Sequence, residues 1–364
     1  MKIHNFSAGP AILPATVFEQ AAEAVRDLDG IGLSILEISH RSPEFVAILD
    51  EAQQSVKDLL GLGDDFDVLF LTGGASSQFF MTAMNLLGDD ETAGYVDTGT
   101  WSAKAIKEAA RFGNIQKLAS SKDDNYTHIP KGFEVPKDLK YLHLTNNNTV
   151  FGTEFHALPD TKVPFVADMS SNIFSRPVDV SRYDLIYAGA QKNLGPAGVT
   201  LVIVRKGITG KLKREIPTML DYDTHIAKNS MFNTPPTYPI YVCLLTMRWL
   251  KAQGGVAAMS TYNDKKAKLV YDEIDSNPLF EGTTAVEDRS RMNATFKAKD
   301  DAHTTAFLEA CKAANISGIK GHRSVGGFRA SIYNAMPLES VQVLVDVMRD
   351  FSAKMDNWGI GELG

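Results

Sequence analysis

The chain has 364 residues, 44% of them hydrophobic and 22% charged, with a formal net charge of -7. That length exceeds what one hydrophobic core usually fills, so two packed domains are expected, and the apolar content excludes global disorder. The acidic balance, without a Lys/Arg cluster, argues against a nucleic-acid partner, and no apolar window reaches the length of a membrane span.

Only Cys243 and Cys311 are present, which suits a reducing, cytoplasmic setting without a disulfide. No signal-like apolar core follows Met1, so the five Asn-x-Ser/Thr triplets, Asn147-Asn148-Thr149 among them, read as chance matches.

In chain order, apolar residues at helical spacing predict helices over Pro14 to Leu28 and Glu44 to Leu60. A strand over Asp67 to Leu71 and a helix over Ser76 to Leu87 follow, then a strand over Ala93 to Val96 and a helix over Ser102 to Phe112. Four more β-rich runs come next, at Lys140 to Leu144, Pro164 to Ala167, Leu185 to Ala188 and Val199 to Val204. This alternation predicts an α/β domain spanning 15–250, with a mostly parallel sheet covered on both faces. One long helical stretch is expected from Tyr238 to Asp275. Beyond it, strand, helix, strand and helix (Met292 to Lys297, Thr304 to Ala314, Gly327 to Ile332, Leu338 to Trp358) predict a smaller α+β domain made of 251–364 plus 1–14.

The sequence lacks Gly-x-Gly-x-x-Gly after its first strands, a Walker loop, His-Glu-x-x-His and Gly-x-Ser-x-Gly. No compact histidine pair has metal-ligand spacing, so no metal is expected. Three features remain. Thr72-Gly73-Gly74-Ala75-Ser76 joins a strand to a helix, Asp168 ends an apolar strand, and Lys192 follows the next strand and precedes a Gly/Pro-rich loop. Singly they read as a helix start capped by Ser76, a capping carboxylate and a solvated lysine. Together, at strand ends on one edge of one sheet, they supply a phosphate cup, an anion for a pyridine nitrogen and an amine for an aldehyde, the three needs of pyridoxal phosphate.

The chain resembles the phosphoserine aminotransferases, a family of class V, fold-type I pyridoxal-phosphate enzymes, along essentially its whole length. The matching stretches run in order from Asn5-Phe6-Ser7-Ala8-Gly9-Pro10-Ala11 through Ser39-His40-Arg41, Gly73 to Ser76, Trp101, Asn147-Asn148-Thr149, Asp168 to Ser171 and Ala190 to Asn193, then Asn233 to Pro236 and Gly321 to Ala335. The resemblance implies a large cofactor domain, a small C-terminal domain and a homodimer with shared active sites. Lys192 would be the Schiff-base residue and proton carrier, Asp168 would hold the ring nitrogen, Trp101 would cover the ring face and Thr149 would meet the ring hydroxyl. Ala75, Ser76 and Gln191 would hold the phosphate, joined by Asn233 and Thr234 of the neighbouring subunit. The Gly-Ala-Ser turn replaces a Gly-Arg found in some relatives, so the phosphate contact there would be through backbone.

The implied substrates are glutamate and 3-phosphohydroxypyruvate, in serine biosynthesis and, as the resemblance allows, vitamin B6 biosynthesis. Each couples an α-carboxylate to a distal anion, and arginine forks suit both groups. Arg329 would hold the α-carboxylate, with His40, Arg41, His322 and Arg323 around the distal group and Ser7 adding a hydroxyl. His40 and Arg41 would come from the partner. Three alternatives stay open: a serine-glyoxylate type aminotransferase, a cysteine desulfurase, or a pyridoxal-phosphate-binding protein without turnover. The desulfurase needs an exposed nucleophilic thiol, whereas both cysteines lie in apolar helical runs.

Overall fold

The computed structural model describes residues 2–361. The first half comprises β1 (His4–Asn5), α1 (Ala15–Arg26), α2 (Pro43–Leu60), β2 (Phe66–Leu71), α3 (Gly74–Leu86), β3 (Thr92–Asp97), α4 (Thr100–Ala109), β4 (Asn114–Ser120), β5 (Leu142–Thr145) and β6 (Phe165–Asp168). The second comprises β7 (Tyr183–Gly189), β8 (Thr200–Arg205), α5 (Tyr222–Ala227), α6 (Thr237–Ala252), α7 (Gly255–Ser276), β9 (Phe280–Gly282), β10 (Asn293–Ala298), α8 (His303–Ala313), β11 (Ile316–Ser317), β12 (Phe328–Ser331) and α9 (Leu338–Gly361).

Seven strands form one sheet in the order β2-β8-β7-β6-β5-β3-β4, and β8 alone runs antiparallel to its neighbours. Both faces are buried, which explains the unbroken apolar runs. Phe70, Ile186, Ala167, Leu201 and Ile203 enter one core with α1, α2 and α6, while Leu69, Leu71, Val166, Leu185, Tyr187 and Val202 enter a second core with α3 and α4. Because β8 reverses direction, the β7–β8 turn and the carboxyl ends of β2, β5, β6 and β7 share one sheet edge.

A three-stranded antiparallel sheet, β12-β10-β9, packs against α7, α8 and α9. Phe280, Phe296, Phe307, Phe328 and Phe351 fill its core through tilted and edge-on ring contacts. Strand β1 pairs in parallel with β11, far along the chain.

The expected Tyr238 to Asp275 helix is two helices. Gly254 and Gly255, at φ of 94° and 74°, take left-handed backbone between α6 and α7, where a side chain would be strained. Strand β4 has no counterpart among the predicted elements because it lies at the sheet edge with a largely solvent-exposed, polar sequence. Helix α2 starts as its sequence suggests: the Ser42 hydroxyl accepts from the Phe45 N–H, Pro43 opens the first turn, and Gly61 closes the end at φ 65°. That cap sets His40 and Arg41 on the turn that enters the helix.

Candidate active site

In-register pairing of Thr145, Asp168 and Tyr187 across β5, β6 and β7 brings the strand ends level. Asp168 is buried there, and its Oδ1 accepts from the Ser170 N–H at 2.9 Å. Burial raises its pKa, opposed by the nearby Lys192 charge and the bonds to Ser170.

Lys192 stands on the β7–β8 turn, and its Nζ donates to Thr149 Oγ1 at 2.7 Å. Burial lowers its pKa to about 8, with Asp168 acting against the shift and Arg329 adding to it. The same Nζ lies 5.5 Å from the centre of the Trp101 ring, which sits in the first turn of α4. Thr149 also connects in the other direction: its carbonyl accepts from Arg329 Nη1 at 3.2 Å. The loop that carries Thr149 is held by Asn147, whose Nδ2 donates to Ser171 Oγ and Asn293 Oδ1, both at 2.8 Å. Asn147 is buried, so the Asn147-Asn148-Thr149 triplet is no accessible glycosylation site.

The Gly73-Gly74 turn follows β2 at this edge. The residue before α3 is Gly73, at φ 95°, with no side-chain cap, and Ser76 lies inside the helix, so the expected Ser76 cap is not formed. Without a cap, the first-turn N–H groups around Gly74, Ala75 and Ser76 face outward unpaired by side chains, as an anion site requires. Gln191 adjoins Lys192, and its carbonyl accepts from the Ala11 N–H at 3.0 Å.

The amino-terminal segment that follows β1 closes over the lysine. Tyr333 Oη donates to the Ala8 carbonyl at 2.7 Å, and a Cβ on Gly9 would stand 3.1 Å from Lys192 Cγ. Gly9 has φ 146°, a conformation that side chains disfavour. Gly9→Ala is therefore expected to cut kcat about tenfold or more while Tm falls only a few degrees. Unchanged kcat alongside a lowered Tm would leave Gly9 with a purely conformational role.

Arg329 on β12 is half-buried, its Nε lacks a partner, and it pairs with no carboxylate among the described residues. His322 is also half-buried, and Arg323 is exposed beside it. Burial, together with Arg329, Arg323 and Lys104, lowers the His322 pKa, and His322 and Arg329 line a cleft of about 170 Å³. The His322 Nδ1 accepts from the Ser324 N–H at 3.2 Å. Ser7, in the segment ahead of Gly9, packs against Gly318.

Four predicted residues stand apart from this cluster. Among the described residues, no hydrogen bond or ion pair joins His40, Arg41, Asn233 or Thr234 to Lys192, Asp168 or Arg329. His40 Nε2 is buried and unpaired, whereas Arg41, Asn233 and Thr234 are exposed. Asn233 lines a cleft of about 150 Å³ with Thr72, Gly73 and Ser77 of its own chain.

Sequence reasoning assigned no role to Lys104 or Tyr333. Lys104 Nζ lies 4.6 Å from the centre of the Trp101 ring, three residues away on α4, and that helical spacing was the available signal. Both cysteines are fully buried, and burial raises their thiol pKa values, that of Cys311 to about 12. Neither can serve as a desulfurase nucleophile.

The family model described as Aminotransferase class-V matches residues 3–344. The chain belongs to the class-V aminotransferase family. This class-V chain is 58% identical to the phosphoserine aminotransferase of Flavobacterium johnsoniae over 356 residues, covering 98% of this chain and 100% of that one. It is 56% identical to the enzyme of the same name from Parabacteroides distasonis, covering 96% and 99%. Among solved structures, the phosphoserine aminotransferase from Bacillus circulans subsp. alkalophilus superposes with a TM-score of 0.95 at 45% identity, covering 97% and 99%. The fold is thus fold-type I.

Proposed function

We propose that this class-V aminotransferase uses pyridoxal phosphate to transfer an amino group between glutamate and 3-phosphohydroxypyruvate, forming O-phospho-L-serine and 2-oxoglutarate, as in serine biosynthesis. The observation that carries the reading is the double role of Thr149, which links the Lys192 amine to Arg329, a guanidinium with no carboxylate partner among the described residues. A reactive amine and a carboxylate receptor held by one residue suit an α-amino acid.

The residues fit the cofactor. Among the described residues, the buried Trp101 indole N–H and the Arg329 Nε both lack protein partners, and the first turn of α3 has no side-chain cap. When bound, pyridoxal phosphate supplies an aldehyde carbon and an electron-withdrawing ring. The first-turn amides at Ala75 and Ser76, with Gln191, would hold its phosphate, Trp101 would cover its ring and Thr149 would meet its hydroxyl. The buried Asp168 carboxylate would hold positive charge at the ring nitrogen. Lys192 Nζ, whose pKa burial lowers to about 8, would accept the proton from the substrate Cα and return it. Arg329 grips the α-carboxylate in a bidentate fork, and His322 and Arg323 face the distal anion.

Residues 15–250 serve in this reading as the cofactor domain, and 1–14 plus 251–364 as the small domain; Met1 and the last three residues lie outside the described residues. The cytoplasmic setting rests on the two reduced, buried cysteines. Among the described residues no helix is long and apolar enough to cross a membrane, and no group of three or more metal-ligating side chains occurs.

Two identical chains complete the site. Phe18 on α1 and Ile31, Leu33 and Leu36 on the segment leading to His40 and Arg41 are exposed apolar side chains, and their burial against a second copy would be favourable. His40, Arg41, Asn233 and Thr234 then act at the partner's site. Mixed Arg41→Ala and Lys192→Ala proteins test this arrangement. Random exchange makes about half the dimers mixed, each with one intact site, so activity should recover to roughly a quarter of wild type at best. Heterodimers seen by native mass spectrometry without recovered activity would refute shared sites.

The reaction itself is tested by steady-state turnover of glutamate with 3-phosphohydroxypyruvate, against serine with glyoxylate. Preference for the first pair is expected. Preference for the second would make the chain a serine-glyoxylate type enzyme, and no turnover with either would leave a binding protein.

A further inference from the structure

Helix α7 carries a lysine, Lys266, that is fully buried and pairs with no carboxylate among the described residues. Its Nζ donates to the backbone carbonyls of Ile332 at 2.9 Å and Tyr333 at 2.6 Å, and it lies 5.0 Å from the centre of the Tyr262 ring. These carbonyls lie just past the end of β12, and that of Tyr333 also accepts from the Met336 N–H at 2.9 Å. A charged or polar group without water is costly unless its bonds are met, so this contact is held tightly.

The surrounding turn of α7 grips the same segment. Asn263 Nδ2 donates to Asn334 Oδ1 at 2.8 Å, and the Leu338 N–H donates to Tyr262 Oη at 2.7 Å. The gripped segment in turn touches the active site on two sides. Arg329 lies on β12, three residues before Ile332, and the Asn334 N–H donates to the side chain of Asn193, next to Lys192, at 2.9 Å. Tyr333 reaches the Ala8 carbonyl over the lysine.

We propose that Lys266 is a positioning residue for substrate binding: through the Ile332 and Tyr333 carbonyls it sets where β12 ends and so where the Arg329 fork meets an α-carboxylate. Burial lowers the lysine pKa well below its usual value, and a neutral amine still offers the two N–H groups that the two carbonyls need. The inference rests on the transaminase reading above, in which Arg329 receives the carboxylate common to both substrates.

The test compares wild type, Lys266→Met and Lys266→Gln as purified holoenzymes, with KM and kcat for glutamate and for 3-phosphohydroxypyruvate and with Tm. Methionine keeps the chain length but donates nothing, and glutamine restores an N–H donor pair. Lys266→Met is expected to raise KM for both substrates by a similar factor of about tenfold, with kcat changed less than about threefold. Lys266→Gln should recover part of the loss. A lowered Tm with wild-type KM values would make Lys266 merely structural, and a KM change for one substrate only would place its effect away from the α-carboxylate; either result overturns the proposal. So would the failure of both variants to give folded holoenzyme. If wild type itself does not turn over these substrates, the transaminase reading fails, and the proposal with it.

Discussion

Lys192→Ala is expected to lower transamination by about 10⁴-fold or more, and to abolish covalent retention of cofactor after borohydride treatment. One nitrogen carries both tasks, so no neighbour can replace it: among the described residues, Lys104 and Lys192 lie over the Trp101 ring, and Lys104 is on the exposed side of α4. Covalent attachment to wild type should titrate with an apparent pKa near 8, because burial favours the neutral amine. At pH 7.5 such an amine is neutral in roughly a quarter of molecules, against about 0.1% for an unperturbed lysine. Retention of cofactor in the Lys192→Ala protein after borohydride would move the reactive amine elsewhere and dissolve the proposed site.

Asp168→Asn is expected to slow turnover by roughly 10²–10⁴-fold while the protein still folds and binds cofactor. The amide keeps the shape and can still accept from the Ser170 N–H, but it carries no charge to hold a proton on the ring nitrogen. A second readout follows from the same electrostatics. Asp168 raises the Lys192 pKa against burial, so removing its charge should shift the attachment titration below 8. Wild-type turnover with an unmoved titration would reduce Asp168 to a local cap.

Much of this was legible in the sequence, for identifiable physical reasons. Strands buried on both faces leave unbroken apolar runs, so the parallel core, Asp168 at the end of β6 and Lys192 just beyond β7 were all visible as pattern. Edge position hid β4, whose side chains are mostly wet, and a pair of glycines inside a helical pattern hid the break between α6 and α7. The reach of the small sheet into the site was invisible locally. Thr149 and Arg329 meet across 180 residues, and only a family likeness suggested that they belong together. Ser76 was misread because a serine after glycines looks like a cap, whereas left-handed backbone at Gly73 starts the helix earlier. The buried Lys266 left no signal at all: in sequence it is one charge among several on an amphipathic helix.

The closure of the amino-terminal segment over Lys192 also orders events in time. Ala8 meets Tyr333 across 325 residues, and at about 5–20 residues per second a ribosome needs roughly 16–65 s to deliver the second after the first. In the later part of that interval, once β8 has been made, the large sheet can form with Lys192 and Asp168 in place, while the segment that covers them still has no Tyr333 to bind. The segment made first is thus among the last to dock, and a nascent chain carries its reactive lysine uncovered until synthesis is nearly complete.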